Sequence, residues 1–132
     1  MTTRDLLRNQ TVTQSLAPAV RTNGTATGAG VDLRGYDAAM IAVSFGAWTD
    51  GTHTPSLKES ADGTTYTAVA AADLQGAFTA VSGAGGANTV QQVGYVGNQR
   101  YVQVVMTTTG ATSGAASSAT VIAGYPRHAP VQ

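Results

Sequence analysis

The sequence predicts an all-β protein: a single-domain β-sandwich or jelly roll of about eight short antiparallel strands with a short N-terminal arm. Three observations carry that prediction. Short runs rich in Val, Thr, Ala and Tyr recur about every ten residues, separated by breaks that contain Gly, Asn or Asp. A length of 132 residues suits one domain, and no composition shift divides it. Outside residues 4–10 no stretch suggests a helix, and no fixed-period repeat is present.

Taken in order, residues 4–10 form a helical turn with Leu6 and Leu7 as its apolar side. Residues 11–16 alternate loosely and stop near Pro18. Residues 1–18 are therefore assigned to the arm and 19–132 to the sandwich. A short strand at 19–22 runs into Asn23-Gly24, a hairpin-turn signal, and Gly28 to Gly30 make a second break. The strongest strand is 38–48, with Met40 and Ala42 on one face and Ile41, Val43 and Phe45 on the other. Asp50-Gly51 ends it. Strands at 56–60 and 65–70 flank Asp62-Gly63, a second hairpin signal. A helical turn or loop at 71–74 and a short strand at 78–81 follow. The Gly/Ala-rich segment 82–88 is a loop. Strands 90–96 and 100–107 meet across Gly97-Asn98-Gln99. After a loop at 108–116 the last strand is 117–123, and Pro126 and Pro130 break the tail.

Composition narrows the function. Apolar residues make up 42% of the chain, but many are alanine, and there are only two Phe, one Trp and five Tyr. Such a core is thin, and covering by partners would help it. Charged residues make up 11%, against roughly 25% in ordinary domains. A surface so poor in charge is either simply polar and neutral or largely covered by other protein.

Seven basic and seven acidic residues cancel. The basic ones are scattered, so no nucleic-acid partner is expected. Without cysteine there is no disulfide, thiolate zinc site or Cys nucleophile. No apolar stretch is long enough to span a membrane, so no membrane partner is expected. The N-terminus does not lead into a signal-peptide hydrophobic region, which predicts synthesis in a cytoplasm.

Candidate chemistry is sparse. His53 lies beside a predicted turn and His128 between two prolines, so both read as solvated loop histidines. Asp32, Asp37, Asp50, Asp62 and Asp73 lie at or near turns, where aspartate bonds neighbouring N–H groups. A calcium site is the minor alternative, because it needs several oxygens converging on one point. No Gly-x-Ser-x-Gly elbow, phosphate loop or paired carboxylates are present. The expectation is a non-enzymatic protein with no catalytic residue, metal ligand or cofactor. Trp48, Tyr36, Tyr66, Tyr95, Tyr101 and Tyr125 raise a carbohydrate-binding alternative, since exposed aromatics stack on sugars. Tyr66, Tyr95 and Tyr101 lie in strands and read as core or core-edge residues; Trp48, at a strand end, stays open.

An ordered set of motifs then carries a resemblance. Val31-Asp32-Leu33-Arg34-Gly35-Tyr36-Asp37 leads into the apolar strand ending Phe45-Gly46. Leu57-Lys58-Glu59-Ser60-Ala61-Asp62-Gly63-Thr64-Thr65-Tyr66 comes next. Val93-Gly94-Tyr95-Val96-Gly97-Asn98-Gln99-Arg100-Tyr101-Val102 and Gly124-Tyr125-Pro126-Arg127 complete the set. Over roughly residues 4–130 the chain resembles a family of small proteins encoded among the head genes of tailed phages and prophages. The resemblance implies a capsid decoration, or cement, protein on the outside of a bacteriophage virion. It would form a homotrimer and clamp the major capsid protein. A head–tail connector or tail component is the other location it allows. Interface residues expected on this reading are Arg4, Leu6 and Leu7 of the arm, with Trp48 and Arg100. For Arg100 an ion pair across subunits competes with one inside the chain, to Asp32 or Asp37.

Overall fold

The computed structural model describes residues 6–127. Ten strands lie among them: β1 Gln10–Arg21, β2 Gly24–Thr27, β3 Val31–Asp32, β4 Tyr36–Trp48, β5 Thr52–Ser60, β6 Thr67–Ala68, β7 Leu74–Gln75, β8 Val90–Tyr95, β9 Tyr101–Thr109 and β10 Ala115–Pro126. All pairings are antiparallel. The first sheet has the order β1-β10-β4-β8-β7. The second is β2-β9-β5-β6, with β3 beside β2 on the same edge of β9. The expected β-sandwich is what forms. The strands not expected are β2, of four residues, and the two-residue β3 and β7, all too short to leave an alternation in the sequence, while the strand expected at 65–70 shrinks to β6.

The core follows strand periodicity. Ile41, Val43 and Phe45 of β4 face inward, while Ser44 between them is exposed. On β10 the inward set is Ala115, Ser117, Ala119, Val121 and Ala123. Opposite them stand Leu57 of β5 and Val102, Val104 and Met106 of β9. Each fully buried aliphatic side chain stabilises the fold by about 1.5–3 kcal/mol. The inward side chains of β10 include three alanines and a serine, so the bulk between the sheets comes mainly from β4 and β9.

Several local expectations change. The assigned arm does not extend to residue 18. From Gln10 onward it is an edge strand, paired with β10 from Gln10↔Gly124 to Arg21↔Ala115. Its alternation is loose because the register shifts at Gln14/Leu16 and again at Leu16/Ala19. Asn23-Gly24 does not close a hairpin. It carries the chain from the first sheet to the second, and the Asn23 Oδ1 accepts the Ala111 N–H at 2.7 Å. Gly97-Asn98-Gln99 likewise joins strands of opposite sheets. Local residue preferences set the bend but not the partner. Asp62-Gly63 does connect a β5–β6 pair, though through a longer loop than a two-residue turn. The 78–81 strand reduces to one bridge, Val81 to His53.

Tight crossings between sheets need special residues. Gly114 has φ +78, and a Cβ there would overlap the Arg21 carbonyl oxygen. At the same crossing Asp50 gathers three N–H donors, from Gly114 at 2.6 Å and from Ser113 and Thr112 at 3.1 Å. These bonds, led by Gly114, hold its carboxyl below the ordinary carboxylate range.

Candidate functional site

Polar groups inside the sandwich are structural. His53 was expected in solvent, but it is 0% exposed in the middle of the core. It lies on β5, directly opposite Thr108, so strand alternation turns it inward. Its Nε2 lies 3.0 Å from the Asp50 carbonyl oxygen, which can only accept, so Nε2 donates. Nδ1 then accepts the Thr108 hydroxyl at 3.1 Å. Both nitrogens are satisfied, and a buried imidazole needs that to be tolerated. His128 lies outside the described residues.

Ser15 plays a similar part where β1 bulges. Its Oγ donates to the Ala29 carbonyl at 2.7 Å and accepts the Val104 N–H at 3.0 Å. One hydroxyl thus ties the first sheet to the central strand of the second.

The candidate aromatics are mostly engaged. Tyr95 is buried, and its hydroxyl donates to Glu59 at 2.7 Å while accepting the Gln99 N–H at 3.1 Å. Burial first, and the Glu59 bond second, push its pKa up to about 12. The Tyr36 hydroxyl bonds that of Thr11. Trp48 packs partly buried against the core and donates its indole N–H to Gly51 at 3.0 Å. Tyr125 is the exception at 77% exposure.

The charged candidates pair within the chain. Arg100 grips Asp32 with two bonds of 2.9 and 2.8 Å and lies 5.0 Å over the Tyr101 ring. The Arg100 bond is the main cause of the lowered Asp32 pKa. Arg127 donates to Asp37 at 2.9 Å. With Arg34 these arginines line a cleft of about 370 Å³, but two of the three guanidiniums already have carboxylate partners. Asp62 accepts from Thr65, Thr64 and Ser60, which brings it down to about 2. Among the described residues no group of three or more metal-ligating side chains comes together, and no helix is long and apolar enough to cross a membrane.

The outer face of the first sheet is what stands out. Register builds it row by row, since directly paired residues share a face. Val12, Ile122, Met40, Gly94 and Gln75 form one row, and Gln10, Gly124 and Ala38 the row beside it. On the other side come Gln14, Thr120, Ala42 and Gln92, then Ser118, Ser44 and Val90. No charged side chain occurs in these rows.

Tyr125 joins this face because its φ is +50. Regular alternation would aim it inward, two residues from buried Ala123. The left-handed residue reverses it, a conformation rare for a side chain of this size. Two grooves of about 430 and 640 Å³ share Gly124 and Tyr125. Met40 and Ile122 line the first, and Leu6 and Asp37 the second.

Of the expected interface residues, Leu6 lies on this face at 67% exposure and Leu7 is its exposed neighbour. Trp48 and Arg100 lie elsewhere, and Arg4 falls outside the described residues. Sequence reasoning missed Val12 and Ile122, and named Tyr125 only as a candidate for stacking on sugars. It set Met40 and Ala42 on one face of their strand, but both faces of that strand are apolar, so the outward one was not marked. No protein-family model matches the chain, and neither does any curated protein or solved structure.

Proposed function

We propose that this chain is a structural protein that works by packing against other protein, and that its setting is the outside of a bacteriophage head. The observation that carries the first half is the outer face of the first sheet, whose paired rows hold no charged side chain, with Leu6, Val12, Met40, Ile122 and Tyr125 along it. A contiguous apolar and neutral surface of this kind marks an interaction site. Interface cores are depleted of charge and enriched in Tyr and Met. The second half rests on the resemblance of the ordered motifs to small head-gene proteins. Protein of the virion then covers the face, either the major capsid protein or further copies of this chain.

Cryo-electron microscopy of the virion tests the setting. The expected result is density for this sandwich on the capsid exterior. A chain absent from purified particles, or a gene remote from head genes, overturns it.

A further inference from the structure

We infer that the outer face of the first sheet is covered by a second copy of the same chain, related by a two-fold axis, sheet against sheet. This rests on reading the face as a protein-docking surface and names its occupant.

Charge is the first argument. In a two-fold contact each residue near the axis meets its own copy, so a like charge there repels itself. The paired rows of this face carry none, although the chain has seven basic and seven acidic residues to place, and Asp37 at the end of the second groove is ion-paired with Arg127 at 2.9 Å. A charged partner would leave its own charges buried and unpaired against such a face. An identical neutral face does not, and the zero net charge raises no long-range repulsion between copies.

Shape is the second. A self-complementary surface needs knobs and hollows on the same patch. Tyr125 and Ile122 project beside Gly124, where an added Cβ would meet only the Asn9 carbonyl oxygen, at 4.0 Å.

Area is the third. β1, β10 and β4 have 12, 12 and 13 residues, about 40 Å each at the usual rise, and β8 has 6, about 20 Å. At about 4.8 Å per strand these lengths cover roughly 680 Å² per copy, within the ~600–1,000 Å² per partner of a standard stable interface. Packed sheets of this kind sit about 10 Å apart with aligned strands. Because the contact pairs a face with itself, it closes at two copies and leaves the Thr-bearing second sheets on the outside of the pair.

Light scattering coupled to size exclusion, on the full chain at 5 to 200 μM, tests the inference. The expected mass is twice that of the chain. Met40→Lys with Ile122→Lys should give the single-chain mass with an unchanged far-ultraviolet spectrum. Thr107→Lys, on the exposed face of the second sheet, should leave the pair intact. If the double variant unfolds, hydrogen exchange on the unaltered chain decides. Protection of β1 and β4 amides should then rise with concentration, whereas protection in β5 should not.

A single-chain mass at every concentration overturns the inference and leaves the face to a capsid protein. A three-chain mass overturns it as well, because a face-to-face contact cannot close a ring of three. A two-chain mass that survives the double variant places the contact elsewhere and also overturns it. A pair in solution with no chain on purified virions overturns the phage-head setting instead.

Discussion

Two buried serines should respond to the same substitution with opposite signs. Ser15→Ala removes the hydroxyl that bonds both the Ala29 carbonyl and the Val104 N–H. Ala29 is exposed, so its carbonyl can turn to water. Val104 is fully buried and its N–H cannot. The cost is that of one orphaned backbone donor plus the lost bonds, about 2 kcal/mol. For a domain of this size that lowers the melting temperature by about 8 °C. Ser117 is also buried, but its hydroxyl has no partner among the described residues. Ser117→Ala therefore deletes a hydroxyl whose burial is uncompensated, and should leave stability unchanged or raise it by up to about 1 kcal/mol. Urea unfolding of both variants reads the difference, with equal slopes as the check on two-state behaviour. A Ser15→Ala loss below about 0.5 kcal/mol, or a Ser117→Ala loss as large as that of Ser15→Ala, would refute the hydrogen-bond reasoning.

Other substitutions follow from the same geometry. His53→Leu leaves the Thr108 hydroxyl and Asp50 carbonyl unpartnered in the core, so urea unfolding should show a loss of about 1–3 kcal/mol. Arg100→Ala breaks an ion pair whose side chains are 43% and 41% exposed; a thermal melt should show little or no change, leaving the folded variant usable in capsid-binding assays. Asp62, depressed to about 2 in the folded chain, contributes stability that is present above its ordinary value near ~3.9 and lost as pH falls toward that folded value. Asp62→Asn should therefore flatten the acid limb of a pH-stability curve between about pH 4 and 2; a limb of unchanged steepness would count against the Asp62 turn.

What could be read ahead from the sequence was the local part. The alternation of Ile41, Val43 and Phe45 placed a strand and set these three on one face of it, because strand period is a property of the chain itself, but it did not say which face is buried. Asp62-Gly63 gave a hairpin for the same reason. Partner choice was not local. Asn23-Gly24 and Gly97-Asn98-Gln99 look like hairpin turns, yet each sends the chain to the other sheet. His53 looked like a loop residue because nothing within a few positions supplies its partner Thr108. The outer face was hidden by the same limit: Val12, Met40 and Ile122 form a row only once β1, β10 and β4 are aligned.

The pairing of β10 between β1 and β4 has a consequence for how the protein is made. Ala115–Pro126 is the hub of the first sheet, and Gln10 waits for Gly124 to be synthesised before it has a strand partner. During translation β1 through β9 precede β10, so β1 and β4 at first lack the strand that lies between them. Such non-local pairing makes folding slow, and the unpaired strands stay open to other chains meanwhile. The scarcity of long apolar runs, which thins the finished core, also keeps those waiting strands from being strongly adhesive. Assembly of the sandwich is therefore expected to be an all-at-once event, with β10 closing the first sheet only after the nine strands before it have been made.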